Sequence, residues 1–212
     1  MRAIPVVSAG QKLLVAALDS SNAKRRRLAG ASLGQLGMLI VLISLSVLFF
    51  AASLAVLITN HQAASWRAPE HHGLPWGTAA STLLLGLVSW QLQSGLSAIR
   101  SNRFTEALRG WRVGGAAALA FLVVQALNVR MLTTLEGEHA STSLFLFCYD
   151  LLVGLHSAHV LGGFVPLLLV HTRLARRDYS SSRHDGLTFC VQYWHYLGVV
   201  WLGLLGVLLW VR

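Results

Sequence analysis

The sequence has few charged residues and few cysteines for its length. Asp, Glu, Lys and Arg together make up 12% of the 212 residues, whereas 55% are hydrophobic. This balance excludes a soluble domain and a disordered chain. The two cysteines, Cys148 and Cys190, have neither the spacing of a metal site nor an oxidising loop that could join them, so we expect both to act as small apolar residues. The composition is typical of an integral membrane protein.

Patterns that carry catalysis are also missing. The sequence contains no Ser-His-Asp arrangement, no paired carboxylates and no glycine-rich phosphate loop. No internal repeat is evident. The formal net charge of +9 is compatible with nucleic-acid binding, but the basic residues lie in short segments between apolar runs, which is how membrane topology is encoded. We therefore expect no nucleic-acid partner and no catalysis by the chain alone.

Five apolar stretches are long enough to cross a bilayer as helices: about 34–58, 77–99, 113–132, 144–170 and 188–211. They predict an all-α membrane domain over residues 33–212 with five transmembrane helices. Residues 1–32 are a basic tail that we expect to be cytoplasmic and either flexible or surface-lying. Of the 17 Lys and Arg residues, 14 lie in the tail and in the second and fourth loops, so the positive-inside rule places the N-terminus inside and the C-terminus outside.

The fourth stretch combines small residues with two histidines. Gly154, Ala158 and Gly162 recur every four residues and fall on one side of a helix, a pattern that lets a second helix approach closely in lipid. His156 and His159 are three residues apart and lie close to these small residues on the helix surface. We predict a helix-packing face here and refer to Gly154, Ala158 and Gly162 as the small-residue stripe.

The intramembrane histidines also allow a metal hypothesis, since the imidazoles of His156, His159 and His195 can bind haem or copper. Two haem ligands must face each other across the iron, however, and a haem-copper centre needs further histidines that these stretches lack. We favour hydrogen-bonded structural histidines and expect no bound metal. His159 and His195 have nearly matching depths, which predicts that the fourth and fifth helices pack side by side with both rings turned inward.

Two motifs resemble those of a known family. Residues 153–163 are similar to the Thr-Gly-x-His-Gly-x-His-Val-x-x-Gly motif of subunit III of haem-copper respiratory oxidases, the cytochrome c oxidase and quinol oxidase subunit III family. Residues 193–202 resemble that family's Tyr-Trp-His-Phe-x-Asp-Val-Val-Trp-Leu, and weaker similarities to its five-helix form extend over the chain after Arg27. The resemblance assigns a family motif and a helix-packing role to Gly154, His156, Ala158, His159, Gly162, Tyr193, Trp194, His195 and Trp201.

Three positions depart from the family pattern. Leu45 and Asn128 stand where the family has glutamates in its first and third helices, and Gly198 stands in place of an aspartate. Ionisable groups, which are costly in the membrane interior and usually functional there, are thus absent at these positions. The resemblance implies the packing role of a divergent subunit III more strongly than any proton-linked role.

The resemblance further implies a non-catalytic accessory subunit of a haem-copper terminal oxidase of the aerobic respiratory chain, located in the cell inner (plasma) membrane. Such a subunit has no cofactor of its own and forms two helix bundles in a V shape around bound phospholipid. It contacts catalytic subunit I, which holds the haem and copper, and other oxidase subunits. Candidate lipid-binding residues are Trp76, Trp90, Arg100, Arg103 and Trp194, although interfacial anchoring is the simpler interpretation for any one tryptophan.

Other functions stay open at this point. The parent complex takes electrons from cytochrome c or from quinol, or it is instead a related nitric oxide reductase. A small haem-binding membrane protein is a further alternative, and it would absorb visible light when purified alone. A small transporter is the last alternative, although transporters usually have an internal repeat or broken helices, which this sequence lacks.

Overall fold

The structure, a computed structural model, describes residues 9–63, 66, 76–137 and 143–212, with the backbone alone for residues 9–32 and 136. These residues form five helices: α1 (Ala9–Gln62), α2 (Gly77–Arg100), α3 (Phe104–Glu136), α4 (Leu144–Ala175) and α5 (Asp185–Trp210). Helices are the expected form for such apolar stretches, because in lipid each backbone polar group must find its hydrogen-bond partner within the segment. The all-α fold predicted from the sequence is confirmed.

Four of the described helices are long and apolar enough to cross a membrane, over Leu33–Gln62, Phe104–Leu135, Leu144–Ala175 and Asp185–Trp210. The protein is therefore a multi-pass membrane protein. α2 does not reach the same apolarity, because it carries several polar side chains, two of which contact neighbouring helices. Ser81 lies against Gln125 of α3, and Thr82 lies against Trp201 of α5. A membrane crossing by α2 stays a prediction.

Three helices extend beyond their predicted ends by five residues or more. α1 begins at Ala9, so most of the predicted tail continues this helix, and its cytoplasmic location stays a prediction. α3 begins at Phe104 instead of about residue 113, because Arg109 and Arg112 are accommodated on its exposed surface. The connection between α2 and α3 is then only residues 101–103, where Asn102 adopts a left-handed φ of 57°. α4 continues to Ala175.

The four helices α2 to α5 form a closed bundle. α2 packs on α3, α3 on α4, and α4 on α5, which returns to α2. The α2–α3 contact is the most extensive. Gly110 of α3 lies so close to α2 that a Cβ atom there would be 2.9 Å from the carbonyl oxygen of Gln91. The contact between α4 and α5 confirms the pairing predicted for these two helices.

Residues 42–62 of α1 lie beside α4 and α5 and contact them through side chains. The Ser46 hydroxyl lies 3.0 Å from the Tyr196 hydroxyl of α5, and the Phe49 ring centroid lies 5.1 Å from that of His159 in α4. Between α1 and α5 runs a mostly apolar groove with a volume of about 420 Å³. Residues 42–212 thus contain one closed bundle with residues 42–62 beside it, and the V-shaped arrangement of two bundles stays a prediction.

Candidate functional site

His156 lies inside the bundle in an aromatic cage. Its side chain is 0% exposed, and the ring centroids of Trp201, Phe121 and Phe49 lie at 5.4, 5.7 and 6.0 Å from its own. Neither ring nitrogen has a hydrogen-bond partner among the described residues. Burial of a polar group without a partner is costly, and burial of a charged one costs far more. The cage therefore holds a neutral imidazole that packs as an aromatic ring.

His159 joins α4 to α5 through its backbone. The Tyr193 hydroxyl donates a hydrogen bond of 2.9 Å to the carbonyl oxygen of His159, whose own Nδ1 lies 2.7 Å from the carbonyl oxygen of Leu155. One turn further along α4, Gly163 lets the helices approach each other. A Cβ atom at Gly163 would be 2.9 Å from Tyr193 Cε1 and 3.2 Å from Trp194 Cζ2. The family-motif segments of the two helices therefore meet directly.

Trp201 and His195 connect α5 to α2. The buried Trp201 donates a hydrogen bond of 3.0 Å from Nε1 to the hydroxyl oxygen of Thr82. His195 Nε2 lies within hydrogen-bonding distance of the Gln93 side chain, 3.3 Å from its Oε1. His195 thus has a hydrogen-bond partner within the protein, as predicted, whereas the prediction of a hydrogen-bonded ring is wrong for His156, which has no partner among the described residues.

α2 and α3 share a buried polar cluster. It includes Asn128, one of the three positions where the sequence departs from the family pattern. Asn128 Nδ2 donates to Gln125 Oε1 at 3.0 Å, and the Ser81 hydroxyl lies 2.7 Å from the same oxygen. Gly77 makes room for this cluster, because a Cβ atom there would overlap the Asn128 carboxamide. Asn128 therefore keeps a hydrogen bond within α3 without an ionisable side chain, and the bond between the two helices is the one from Ser81 to Gln125.

The small-residue stripe faces outward. Gly154, Ala158 and Gly162 are all exposed, and a Cβ atom at either glycine would meet no atom within 4 Å. Among the described residues, the close approach to α5 occurs at Gly163 instead, which the sequence analysis did not single out. A packing role for the stripe would therefore require a partner other than the described residues, and it stays a prediction.

The three candidate lipid-binding tryptophans differ in exposure. Trp76 and Trp90 are 79% and 66% exposed, so their rings are available to lipid. Trp194 is 0% exposed and packs edge-on against Phe164, with ring centroids 5.8 Å apart. Trp194 is therefore enclosed by protein, and its contact with Phe164 is one between α5 and α4.

The two candidate arginines lie at the end of α2 and in the short connection that follows. Arg100 Nε donates to His184 Nε2 at 3.4 Å, just before α5. Arg103 forms an ion pair of 2.7 Å with Glu106, in which both side chains are more than half exposed. Exposed pairs of this kind contribute about 0–1 kcal/mol, so Arg103 stays available to other anionic partners.

Two further tryptophans anchor the bundle without having been singled out in the sequence. Trp66 Nε1 donates to the carbonyl oxygen of Val211 at 2.8 Å, after the end of α5, and Trp111 Nε1 of α3 donates to the carbonyl oxygen of Leu167 in α4 at 3.1 Å. The N–H of a buried tryptophan usually has a hydrogen-bond partner, so a tryptophan beside an apolar stretch is a sequence signal for such an anchoring residue. The identity of that partner depends on the tertiary fold.

The connection between α4 and α5 is held by Tyr179. Its side chain is only 8% exposed, and burial raises the pKa of the hydroxyl above its usual value, while the nearby Arg173 lowers it less strongly. Gly186 allows this close packing, since a Cβ atom there would be 2.8 Å from the Tyr179 hydroxyl oxygen. A neutral tyrosine thus fixes the turn outside the membrane-spanning segments.

In the part of the chain that the structure describes, no group of three or more His, Cys, Asp or Glu side chains is arranged to hold a metal ion. Cys148 and Cys190 are both buried and not disulfide-bonded. Absence of bound haem, copper or zinc stays a prediction. The geometry of the two motifs is that of interhelical packing and hydrogen bonding.

Comparisons with known proteins agree with the two motifs. A family profile described as "Cytochrome c oxidase subunit III" matches residues 80–212, which is more than half of the chain. A "Cytochrome c oxidase subunit 3" of Corynebacterium diphtheriae is 26% identical over 170 residues, covering 78% of this chain and 82% of the relative. Proteins of the same name from Thermostichus vulcanus and Synechocystis sp. are 27% and 28% identical, covering 79% and 78% of this chain and 82% and 70% of the relatives. The resemblance inferred from the motifs is thus confirmed, and the chain belongs to the cytochrome c oxidase subunit III family.

Proposed function

We propose that the protein is the non-catalytic accessory subunit III of a haem-copper terminal oxidase complex. The observation that carries the proposal is the family match over residues 80–212, within which α4 and α5 meet through His156, Tyr193 and Trp201. The names of the relatives favour an oxidase over the nitric oxide reductase that the sequence left open. In this proposal the haem and copper lie in the partner subunit, and this chain stabilises that subunit.

The outward face of α4 is the proposed contact with catalytic subunit I. The small-residue stripe is exposed there, and its two glycines have open space around them. Lipid provides no hydrophobic driving force between helices, so helices associate in membranes by close packing, for which small residues are suited. Exposed apolar side chains border the stripe at Leu151, Leu161 and Val165. The face therefore has the composition of a helix-docking surface.

Bound phospholipid and location in the inner (plasma) membrane are part of the same proposal. The exposed rings of Trp76 and Trp90 suit the membrane interface. Arg100 and Arg103, at the end of α2 and just after it, suit contact with lipid phosphates.

Purification of the full chain from its native membrane in mild detergent tests the proposed function. We expect a many-helix partner with haem absorbance and oxygen-consuming activity, while the chain dissociated from it contains no haem, copper or zinc in stoichiometric amount. A chain that purifies alone with bound haem would overturn the proposal. A complex that reduces nitric oxide without consuming oxygen would support the reductase alternative.

A further inference from the structure

A groove of about 320 Å³ opens on the outer surface of the bundle between α2 and α5. Three of its lining residues are polar: Thr82, Ser89 and His195. The others are Leu85, Gly86, Gly198, Val199, Trp201 and Leu202. Polar side chains within a membrane usually face other protein groups, so these three indicate an occupant that can form hydrogen bonds.

Two glycines give the groove its width. A Cβ atom at Gly86 would meet no atom within 4 Å, and one at Gly198 would only touch the Ser89 hydroxyl oxygen, at 3.5 Å. Gly198 stands where the family pattern has an aspartate. The space that a carboxyl side chain would take beside Ser89 is therefore open in this chain.

The groove lies at the middle of the membrane-spanning helix α5. Gly198 follows the first residue of α5 by thirteen residues and precedes the last by twelve, which at about 1.5 Å per residue is about 18 Å or more from either end. The hydrocarbon core of a bilayer is about 30 Å thick, so lipid headgroups lie about 15 Å from its centre. Acyl chains form no hydrogen bonds, so a polar partner at this depth must come from protein.

Part of the hydrogen-bonding capacity of the groove is already used within the protein. The Thr82 hydroxyl accepts from Trp201 Nε1 at 3.0 Å. His195 Nε2 lies 3.3 Å from Gln93 Oε1, but the second ring nitrogen and the Ser89 hydroxyl have no hydrogen-bond partner among the described residues. A hydroxyl donates and accepts, and a ring nitrogen of a neutral imidazole does one or the other. A carboxamide, which also has both functions, is complementary to this pair.

We propose that the groove receives a transmembrane helix of a partner chain that carries Asn or Gln at mid-membrane depth. The carboxamide enters the space beside Gly198 and forms hydrogen bonds with Ser89 and His195. Gly86 lets the two helix backbones approach closely. A neutral amide fits better than a carboxylate, because an ionised group is costly at this depth.

This site is separate from the contact proposed for the small-residue stripe, since α4 contributes none of the lining residues of the groove. It rests on the proposed membership of a multi-subunit complex, but it does not depend on which reaction that complex catalyses.

Photo-cross-linking of the full chain in its native membrane tests the site. Benzoylphenylalanine replaces Leu202, which lines the groove and is 56% exposed, and the cross-linked peptides are identified by mass spectrometry. We expect an apolar segment of membrane-spanning length with Asn or Gln within about one helical turn of its centre. Cross-links to lipid alone, to this chain itself, or to a segment without either amide would refute the proposal.

Two glycine variants distinguish the groove from the rest of the surface. Gly86 and Gly206 are both exposed, and a Cβ atom at either would meet no atom within 4 Å, but Gly206 does not line the groove. Gly86→Leu should lower the cross-linking yield about ten-fold by filling the groove. Gly206→Leu should leave the yield unchanged, and neither variant should shift the thermal unfolding midpoint of the isolated chain. Equal yields in the two variants would overturn the site.

A serine pair tests the hydrogen bond itself. Ser89→Ala should lower the yield about three-fold, the effect of one interhelical hydrogen bond in a membrane, whereas Ser94→Ala, at an exposed position of α2 outside the groove, should not. An unchanged yield in Ser89→Ala would refute the amide contact. A haem-containing complex that co-purifies in full while the groove cross-links only to lipid would refute this site and leave the proposed oxidase role intact.

Discussion

At the scale of the residue, the aromatic cage predicts the effect of changing His156. Its ring nitrogens have no hydrogen-bond partner among the described residues, and Phe49, Phe121 and Trp201 surround it. An unsatisfied buried polar group carries a desolvation penalty of about 1–3 kcal/mol, which His156→Phe removes. We expect this variant to unfold at the same temperature as the unchanged chain or a higher one, measured in detergent by tryptophan fluorescence.

His156→Lys is the opposing variant. It places a charge in the cage, and we expect severe loss of stability. A lower unfolding temperature for His156→Phe would mean that His156 makes a polar contact absent from this structure, and the packing interpretation would then be wrong.

Adjacent glycines on α4 make a second pair for comparison. A side chain at Gly163 would collide with Tyr193 and Trp194, whereas one at Gly162 would enter open space. Gly163→Leu should therefore lower the free energy of unfolding by about 1–3 kcal/mol, the usual cost of overpacking. Gly162→Leu should leave the unfolding of the isolated chain nearly unchanged but reduce co-purification with the partner complex. Unaltered assembly in Gly162→Leu would exclude the stripe as a contact surface.

The same two glycines show where prediction from sequence ends at this scale. The spacing of Gly154, Ala158 and Gly162 predicts a packing face that stays untested, and Gly163 lies only about 100° around the helix from Gly162. Both sides of α4 are apolar because one side meets lipid or another chain, so hydropathy does not reveal which side faces the bundle. The close contact at Gly163 depends on where Tyr193 and Trp194 of α5 lie, and that requires the tertiary fold.

At the scale of the element, the hydrogen bond from Trp201 to Thr82 predicts an energetic coupling between α5 and α2. Interhelical hydrogen bonds in membranes contribute about 0.6 kcal/mol on average. A double-mutant cycle with Trp201→Phe and Thr82→Val, measured by unfolding in detergent, should give a coupling energy of that size.

Thr172 offers the control for this cycle. Its hydroxyl is exposed and bonds within α4, to the carbonyl oxygen of Leu169. Thr172→Val should therefore show no coupling to Trp201→Phe. Coupling energies indistinguishable from zero in both cycles would mean that the α2–α5 bond makes no net contribution.

The helices themselves were largely predictable, whereas the pairs of polar side chains that join one helix to another were not. Apolar runs gave the starts of α2 and α4 within a residue, because the membrane requires long uninterrupted helices. The start of α3 at Phe104 was missed, since Arg109 and Arg112 resemble loop residues in sequence but lie on an exposed helix face. Pairings such as His195 with Gln93 join residues 102 positions apart and follow from bundle geometry alone.

At the scale of the whole molecule, the number of membrane crossings depends on α2: it is five if α2 spans the membrane and four if it does not. Five crossings place the two termini on opposite sides, whereas four place them on the same side. We expect five, because the 24 residues of α2 span about 36 Å and its Ser81 and Thr82 side chains find partners inside the bundle.

Topology reporters check this expectation. A reporter at the N-terminus and one within residues 178–184 should be cytoplasmic, and one at the C-terminus should be external. An N-terminal and a C-terminal reporter on the same side of the membrane would reduce the count to four.

The side-chain contacts of α1 have a consequence for the order of assembly during synthesis. Ser46 meets Tyr196, which follows it by 150 residues. At about 5–20 residues per second, the ribosome delivers that partner roughly 8–30 s later. α2 and α3, only three residues apart, can pair as soon as both have emerged. A nascent chain stalled before α4 should therefore contain a paired α2–α3 hairpin. In that chain α1 has not yet formed its contacts, because α4 and α5 are still untranslated.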